Sequence, residues 1–276
     1  MKDDETPLPL EHISVNALKV VKRLTEHGFE AYLVGGCVRD LLLGRSPKDF
    51  DVATDAHPEE VREIFRNSRS IGRRFRIVHI RFGREIVEVA TFRGAHKEID
   101  EDSHSVGGMI LDDNVYGTFE DDVFRRDFTM NALYFNIDTN EILDLVNGQE
   151  DIKEKRIRLI GAPDSRYRED PVRMLRALRF KAKLNFNIDE ESGSSIRDIG
   201  YLLQDIPPAR IFEEVLKLFM SGYGVATFEA MLEYEIFGWL FPATRRAMDN
   251  TPAEKLIRLA LTSTDKRIAN DMPVTP

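Results

Sequence analysis

The residues best equipped for chemistry lie in one stretch, LVGGCVRDLLLGRSPKDFDVAT, residues 33–54. Asp49 and Asp51 flank Phe50 at the expected start of a strand. Side chains alternate faces along a strand, so both carboxylates are expected on one face, with Phe50 pointing into the layer behind. Two adjacent carboxylates repel each other unless a cation lies between them. Magnesium, a hard cation that prefers oxygen ligands, suits such a pair. Upstream, Gly35 and Gly36 lead into a short apolar helix expected over Val38–Leu43. A glycine turn that runs into a helix aims bare amides and the positive end of the helix dipole at one spot, which suits a phosphate. Arg39, about one turn into that helix, adds a fixed charge. A phosphate cradle followed closely by a metal-binding pair points to a nucleoside triphosphate attacked at its α-phosphorus by a hydroxyl. Taken singly, a Gly-Gly turn is usually structural and an Asp-x-Asp is usually a solvated edge; the ordered combination carries the signal.

LVGGCVRDLLLG followed by DFDVAT resembles the head motif of the class II nucleotidyltransferases. These are template-independent bacterial enzymes that add CCA to tRNA or adenylates to RNA 3′ ends. The resemblance continues at Arg125-Arg126-Asp127-Phe128-Thr129-Met130-Asn131, similar to the family's RRDFTxNAL motif. It implies that Arg126 pairs with triphosphate oxygens, that Asp127 accepts from a ribose hydroxyl, and that Asp127 counts with the active site. Without the head motif, the same triplet reads as an exposed ion cluster of small energetic value.

The third candidate stretch is RYREDPVRMLRALRFKAKL, residues 166–184. Pro171 fits the first position of a helix, with Asp170 just before it. Asp170, Arg173 and Arg176 are spaced by three and share a face, and Arg179 falls close to it. A carboxylate accepts from the exocyclic amine of adenine or cytosine while a neighbouring arginine donates to the adjacent ring nitrogen. Guanine and uracil present a carbonyl to that carboxylate, and a pocket left with unpaired polar groups rejects them strongly. The plainer alternative is a helix cap followed by a solvated stripe. The stretch resembles the family's EDxxRxxRAxRF motif, which implies that Asp170 and Arg173 contact the incoming base and that Arg176 and Arg179 lie nearer the ribose or phosphates.

Composition narrows the field. The 276 residues are enough for two compact domains. Hydrophobic content of 42% and charged content of 32% read as soluble and globular. No apolar run approaches a membrane span, and MKDDETPLPL carries no signal-peptide pattern, so no membrane partner is expected. One cysteine, Cys37, cannot form an internal disulfide, which suits a reducing cytoplasm, and it reads as a small core residue. None of the six histidines falls in a zinc-ligand spacing, so no structural zinc is expected. A net charge of -9 excludes a surface coated for nucleic acid and leaves RNA contacts to local basic patches.

These groups need elements to hold them. Residues 1–12 read as a loose arm. Ser14 caps a helix with Ala17, Leu18, Val21 and Leu24 on one side, Gly28 ends it, and a strand follows over Ala31–Val34. Pro58 starts a helix buried through Val61, Ile64 and Phe65. Strands are expected over Ile77–Phe82 and Ile86–Phe92 around Gly83. Glu88 is the odd residue in the second of them, either a neighbour of the metal pair or a partner for an arginine. Arg73, Arg74, Arg76, Arg81 and Arg84 cluster there, as a charged sheet edge or as contacts to triphosphate or primer. Residues 95–114 read as a mobile loop, residues 119–136 as a helix packed through Val123, Phe124, Phe128 and Ala132, and residues 133–145 as a hairpin around Thr139-Asn140.

Beyond Gly161 strand signals vanish, and Ala209–Met220, Tyr223–Leu240 and Lys255–Leu261 read as helices. The expected architecture is an α/β head, a nucleotidyltransferase mixed sheet with flanking helices, over 14–147. An all-α neck with the base-recognition helix over 148–207 follows, then a helical body over 208–276, short relative to the family. GRRFRIVHIRFGREIVEVATFRG and LLQDIPPARIFEEVLKLFMSGYG are more similar to the bacterial poly(A) polymerase branch than to CCA-adding relatives. The resemblance therefore implies addition of AMP from ATP to an RNA 3′ end by two-metal transfer. Asp49 and Asp51 would hold two Mg²⁺ ions, and Gly35, Gly36, Arg39 and Arg126 the triphosphate. CCA addition to tRNA, or a shortened non-catalytic nucleotide- or RNA-binding module, are the alternatives.

Overall fold

A computed structural model describes residues 8, 10–72, 76–94, 115–249 and 251–275. The expected loop at 95–114, Arg73 and Arg74, and most of the expected N-terminal arm lie outside these residues. The chain forms two compact units, Met1–Ile152 and Lys153–Pro276.

The first unit contains α1 (Val15–Glu26), β1 (Ala31–Val34), α2 (Gly36–Leu42), β2 (Asp51–Thr54), α3 (Pro58–Ile64), β3 (Ser68–Ile71), β4 (Ile77–Phe82), β5 (Glu85–Thr91), α4 (Phe119–Phe124), β6 (Tyr134–Asn136), β7 (Glu141–Leu143) and α5 (Gly148–Lys153), whose end runs into the second unit. The Ser14 side chain caps α1 by accepting from the amides of Asn16 and Ala17. The seven strands form one mixed sheet in the order β3-β4-β5-β2-β1-β6-β7, antiparallel except for the parallel pair β2 and β5. One face lies under α1 and α3. Leu33, Val52, Val78, Ile80, Val87 and Val89 are buried there, each removal from water contributing about 1.5–3 kcal/mol.

The register places Leu143, Tyr134, Val34, Asp51, Glu88, His79 and Arg69 in one row across all seven strands, with side chains on the opposite face. This row crosses apolar residues at one end, acidic residues in the middle and basic residues at the other end.

Two local expectations are corrected, and one strand was not expected. The helix expected over 119–136 stops at Phe124, which is exposed. Its continuation is broken because the Asp127 side chain accepts from the amide of Phe128 and a single 3-10 turn follows over Thr129–Asn131. The strand β3, rich in Ser and Arg, has no apolar pattern to announce it. Strand signals do not vanish after Gly161, because β8 (Arg156–Ile157) and β9 (Asn187–Ile188) form a small parallel pair in the second unit.

The rest of the second unit is helical: α6 (Pro163–Glu169), α7 (Val172–Leu184), α8 (Glu190–Ile199), α9 (Pro208–Phe219), α10 (Gly224–Glu233), α11 (Phe237–Leu240), α12 (Pro242–Met248) and α13 (Ala253–Ala269). In α7, Met174, Leu175, Ala177 and Leu178 are fully buried while Arg173, Arg176 and Arg179 are partly exposed, so the arginines occupy the other side. The apolar residues Ile211, Val215, Leu216 and Phe219 of α9 are only partly covered, and Phe212 is 56% exposed. Among the described residues no single helix is long and apolar enough to cross a membrane.

Candidate active site

The site is built where β1 ends. Gly35 has φ +77°, a conformation that side-chain-bearing residues rarely adopt, and it turns the chain sharply from β1 into α2. Asp51 lies across from Val34, the residue just before this turn. The pairing of two neighbouring strands thus brings the carboxylates beside the glycines. Strand β2 begins at Asp51 rather than at Asp49, yet the alternation holds: Asp49 and Asp51 are exposed and Phe50 is buried.

Glu88 pairs with Asp51 across the parallel ladder, so a third carboxylate stands beside the pair. Its partner is not an arginine but His79, whose Nε2 lies 3.2 Å from Glu88 Oε1. Neighbouring protein atoms crowd the Asp51 carboxyl and partly desolvate it although the residue reaches solvent, and Glu88 and Asp49 repel its charge against the pull of Arg126, so its pKa is pushed up to about 6. A cation would relieve this repulsion. Among the described residues no group of three or more His, Cys, Asp or Glu side chains is arranged to hold a metal unaided. Magnesium fits the donors present, because it keeps several waters and is usually held by one or two carboxylates plus substrate phosphates.

Arg126 closes the other side of the glycine turn. Its Nη1 lies 3.5 Å from where a Cβ on Gly35 would stand. Two groups fix it: Nη2 donates to Asp122 Oδ2 at 2.8 Å and Nε donates to the Tyr134 hydroxyl at 2.7 Å, and the Tyr134 hydroxyl donates onward to Asp122. Burial alone would raise the Asp122 carboxyl, but Arg126, Arg125 and the Tyr134 hydrogen bond hold it down at about 2. The sequence motifs single out neither Asp122 nor Tyr134. The four-residue spacing of Asp122 and Arg126 on a helix was a usable signal, whereas Tyr134 reaches them only through the sheet.

Arg39 is 3% exposed, with its Nη1 donating to Asn131 Oδ1 at 2.6 Å and its Nη2 to Asp40 Oδ1 at 2.7 Å. Its Nη2 lies 3.6 Å from the Cβ position of Gly36. Asp127 accepts from Phe128 N at 2.8 Å, and Asn131 Nδ2 lies 3.5 Å from it. The first unit therefore gathers Gly35, Gly36, Arg39 and Arg126 around one turn, joined to Asp127 through Asn131, with Asp51 across from the turn's first strand. Burial pushes the Cys37 thiol up to about 12, which suits a core residue and not a nucleophile.

Asp170, Arg173, Arg176 and Arg179 belong to the second unit. Asp170 sits between α6 and α7, where Oδ1 accepts from Val172 N at 3.2 Å and Oδ2 from Arg210 Nη2 at 2.7 Å. Arg173 donates to Glu169 Oε2 at 2.8 Å and to the Arg166 carbonyl at 2.6 Å. The Arg176 and Arg179 guanidinium carbons lie 5.9 and 5.5 Å from the Phe180 ring centroid.

Residues 31–158 match the family described as "Poly A polymerase head domain", and residues 185–248 match "Probable RNA and SrmB- binding site of polymerase A". The chain is 54% identical over 271 residues to Poly(A) polymerase I of Escherichia coli, covering 96% of this chain and 58% of that protein. It is 38% identical over 229 residues to the CCA-adding enzyme of Lactobacillus helveticus, covering 82% of this chain and 55% of the relative. Among solved structures it is similar to the Bacillus stearothermophilus CCA-adding enzyme in complex with CTP, with a TM-score of 0.69 and 33% identity, covering 86% of this chain and 53% of that one. The chain thus spans a little over half the length of these relatives.

Proposed function

We propose that this chain, which matches the poly(A) polymerase head-domain family over residues 31–158, transfers AMP from ATP to the 3′ end of RNA without a template. The observation that carries this reading is the pairing of Asp51 with Val34 on one side and Glu88 on the other, beside the Gly35–Gly36 turn. Repelling carboxylates next to a phosphate-binding turn suit nucleotidyl transfer. In the reaction the 3′ oxygen of the primer forms a bond to the α-phosphorus as the bond to pyrophosphate breaks.

Asp49 and Asp51 would hold two Mg²⁺ ions, with Glu88 alongside. When bound, the metal activates the attacking hydroxyl and offsets charge on the leaving pyrophosphate. The Gly36 amide and the buried guanidinium of Arg39 line the triphosphate berth, and Arg126, pinned by Asp122 and Tyr134, supplies a charge that needs no reorganisation. Asp127 accepts from the ribose. Asp170 and Arg173 select adenine once they exchange their contacts to Arg210 and Glu169 for the base.

Greater identity to Poly(A) polymerase I than to the CCA-adding enzymes supports AMP over CCA addition. The test is paired: tRNA lacking CCA and an unstructured RNA, each with Mg²⁺ and either ATP or CTP. Repeated AMP addition to the unstructured RNA is expected. CTP incorporation into the tRNA would replace this reading with CCA addition, and nucleotide binding without turnover would replace it with a binding module.

A further inference from the structure

From Asp51 the cross-sheet row continues through Glu88 on β5 and His79 on β4 to Arg69 on β3. Neighbouring strands are about 4.8 Å apart, so the backbone of Arg69 stands about 14 Å from that of Asp51. The two faces of this half of the sheet differ sharply. Val78, Ile80, Val87 and Val89 are fully buried on one. On the other, Arg69 and Arg81 are exposed, and the apolar residues Ile71 and Ile86 are 43% and 42% exposed.

Charge changes sign along the row. The carboxylates of Asp51 and Glu88 come first, and His79 holds Glu88 by its Nε2. Arg69 follows and forms no ion pair among the described residues. Arg81, two residues beyond His79 and so on the same face, has its Nε anchored on the Gly83 carbonyl at 3.0 Å. In a chain of net charge -9, two cations on an open sheet face that begins at the reacting carboxylates mark a place for a polyanion. The interleaved isoleucines offer unstacked bases and riboses an apolar surface.

We infer that this open face of β3, β4 and β5 is a platform for the primer, binding the single-stranded nucleotides just upstream of the RNA 3′ end, with Arg69 and Arg81 on their phosphates. This rests on the RNA-primed reading above and adds the path by which the primer reaches the carboxylates.

The test uses the full chain and a fluorescein-labelled oligo(A). An Arg69→Ala/Arg81→Ala double variant should raise the KM for the oligonucleotide about ten-fold and leave the KM for ATP unaltered. The slope of log affinity against log salt, measured by anisotropy, should shrink by about 1.4, the share of two phosphate contacts on a single strand. The Arg69→Lys/Arg81→Lys pair should recover most of the loss, since a point charge suffices for a phosphate. Lys22→Ala, a lysine exposed on α1, should change nothing. Oligonucleotide binding within about two-fold of the parent at equal salt would overturn the platform and leave the face to a protein partner. A parent protein that binds oligo(A) through these arginines yet transfers no adenylate would keep the platform and sink the proposed reaction instead.

Discussion

Glu88 stands across the parallel β2–β5 ladder from Asp51, so two carboxylates from strands far apart in sequence face the same space. Like charges set side by side in a fold are stable only if a proton or a cation intervenes. Partial burial first, and this contact second, raise the Asp51 pKa, and a bound divalent ion would offset both.

Removing the repulsion should therefore stabilise the protein. The Asp51 carboxyl moves from an ordinary 3.8 to about 6, so between about pH 4 and pH 6 the folded chain binds more protons than the unfolded chain. Its contribution to stability accordingly falls as pH rises through that window. Asp51→Asn should raise the melting temperature at pH 7 without metal. Mg²⁺ should raise that of the parent and much less that of the variant. Both Asp51→Asn and Asp49→Ala should lose more than about 10³-fold in adenylate transfer while remaining folded.

Asp122 has the opposite sign. Its carboxyl is depressed to about 2, so its stabilisation is present above about pH 4 and is lost as pH falls through about 2. Asp122→Asn should reduce stability near neutral pH by about 2 kcal/mol and flatten the acid limb of the unfolding profile. Denaturant melts from pH 2 to 7 measure both.

Tyr134→Phe removes the hydroxyl that accepts from Arg126 and donates to Asp122. A cost of about 1–2 kcal/mol in stability is expected. If Arg126 holds triphosphate, the KM for ATP should also rise several-fold while the KM for RNA stays. Equal changes in both would mean that Tyr134 only supports the fold.

The two glycines should separate strain from access. Gly35→Ala forces a side chain into φ +77° and should cost about 1–3 kcal/mol. A Cβ on Gly36 meets Arg39 Nη2 at an ordinary 3.6 Å, so Gly36→Ala should fold normally. It should nonetheless raise the KM for ATP, because the methyl group stands where a phosphate would approach the amides. Thermal melts and steady-state kinetics read the two effects independently.

Asp170→Ala should blunt base choice, narrowing the ratio of ATP to GTP incorporation, since the carboxylate no longer penalises a carbonyl. Nucleotide competition assays check this. An unaltered ratio would return Asp170 to the role of anchor for Arg210 and cap for α7.

Much of this was legible in the chain itself. The strand–glycine–helix order, the Asp-x-Asp alternation, the cap at Ser14 and the apolar side of α7 depend on neighbours within a few residues, where periodicity and turn chemistry act directly. Glu88 could be read only as one of two alternatives, because its partner is chosen by which strands pair. The row from Tyr134 to Arg69, the pinning of Arg126 by Asp122 and Tyr134, and the hold of Arg210 on Asp170 were decided by tertiary structure. Each joins groups brought together by sheet register or helix packing, and in the sheet a one-residue slip of a strand would turn its side chains to the other face.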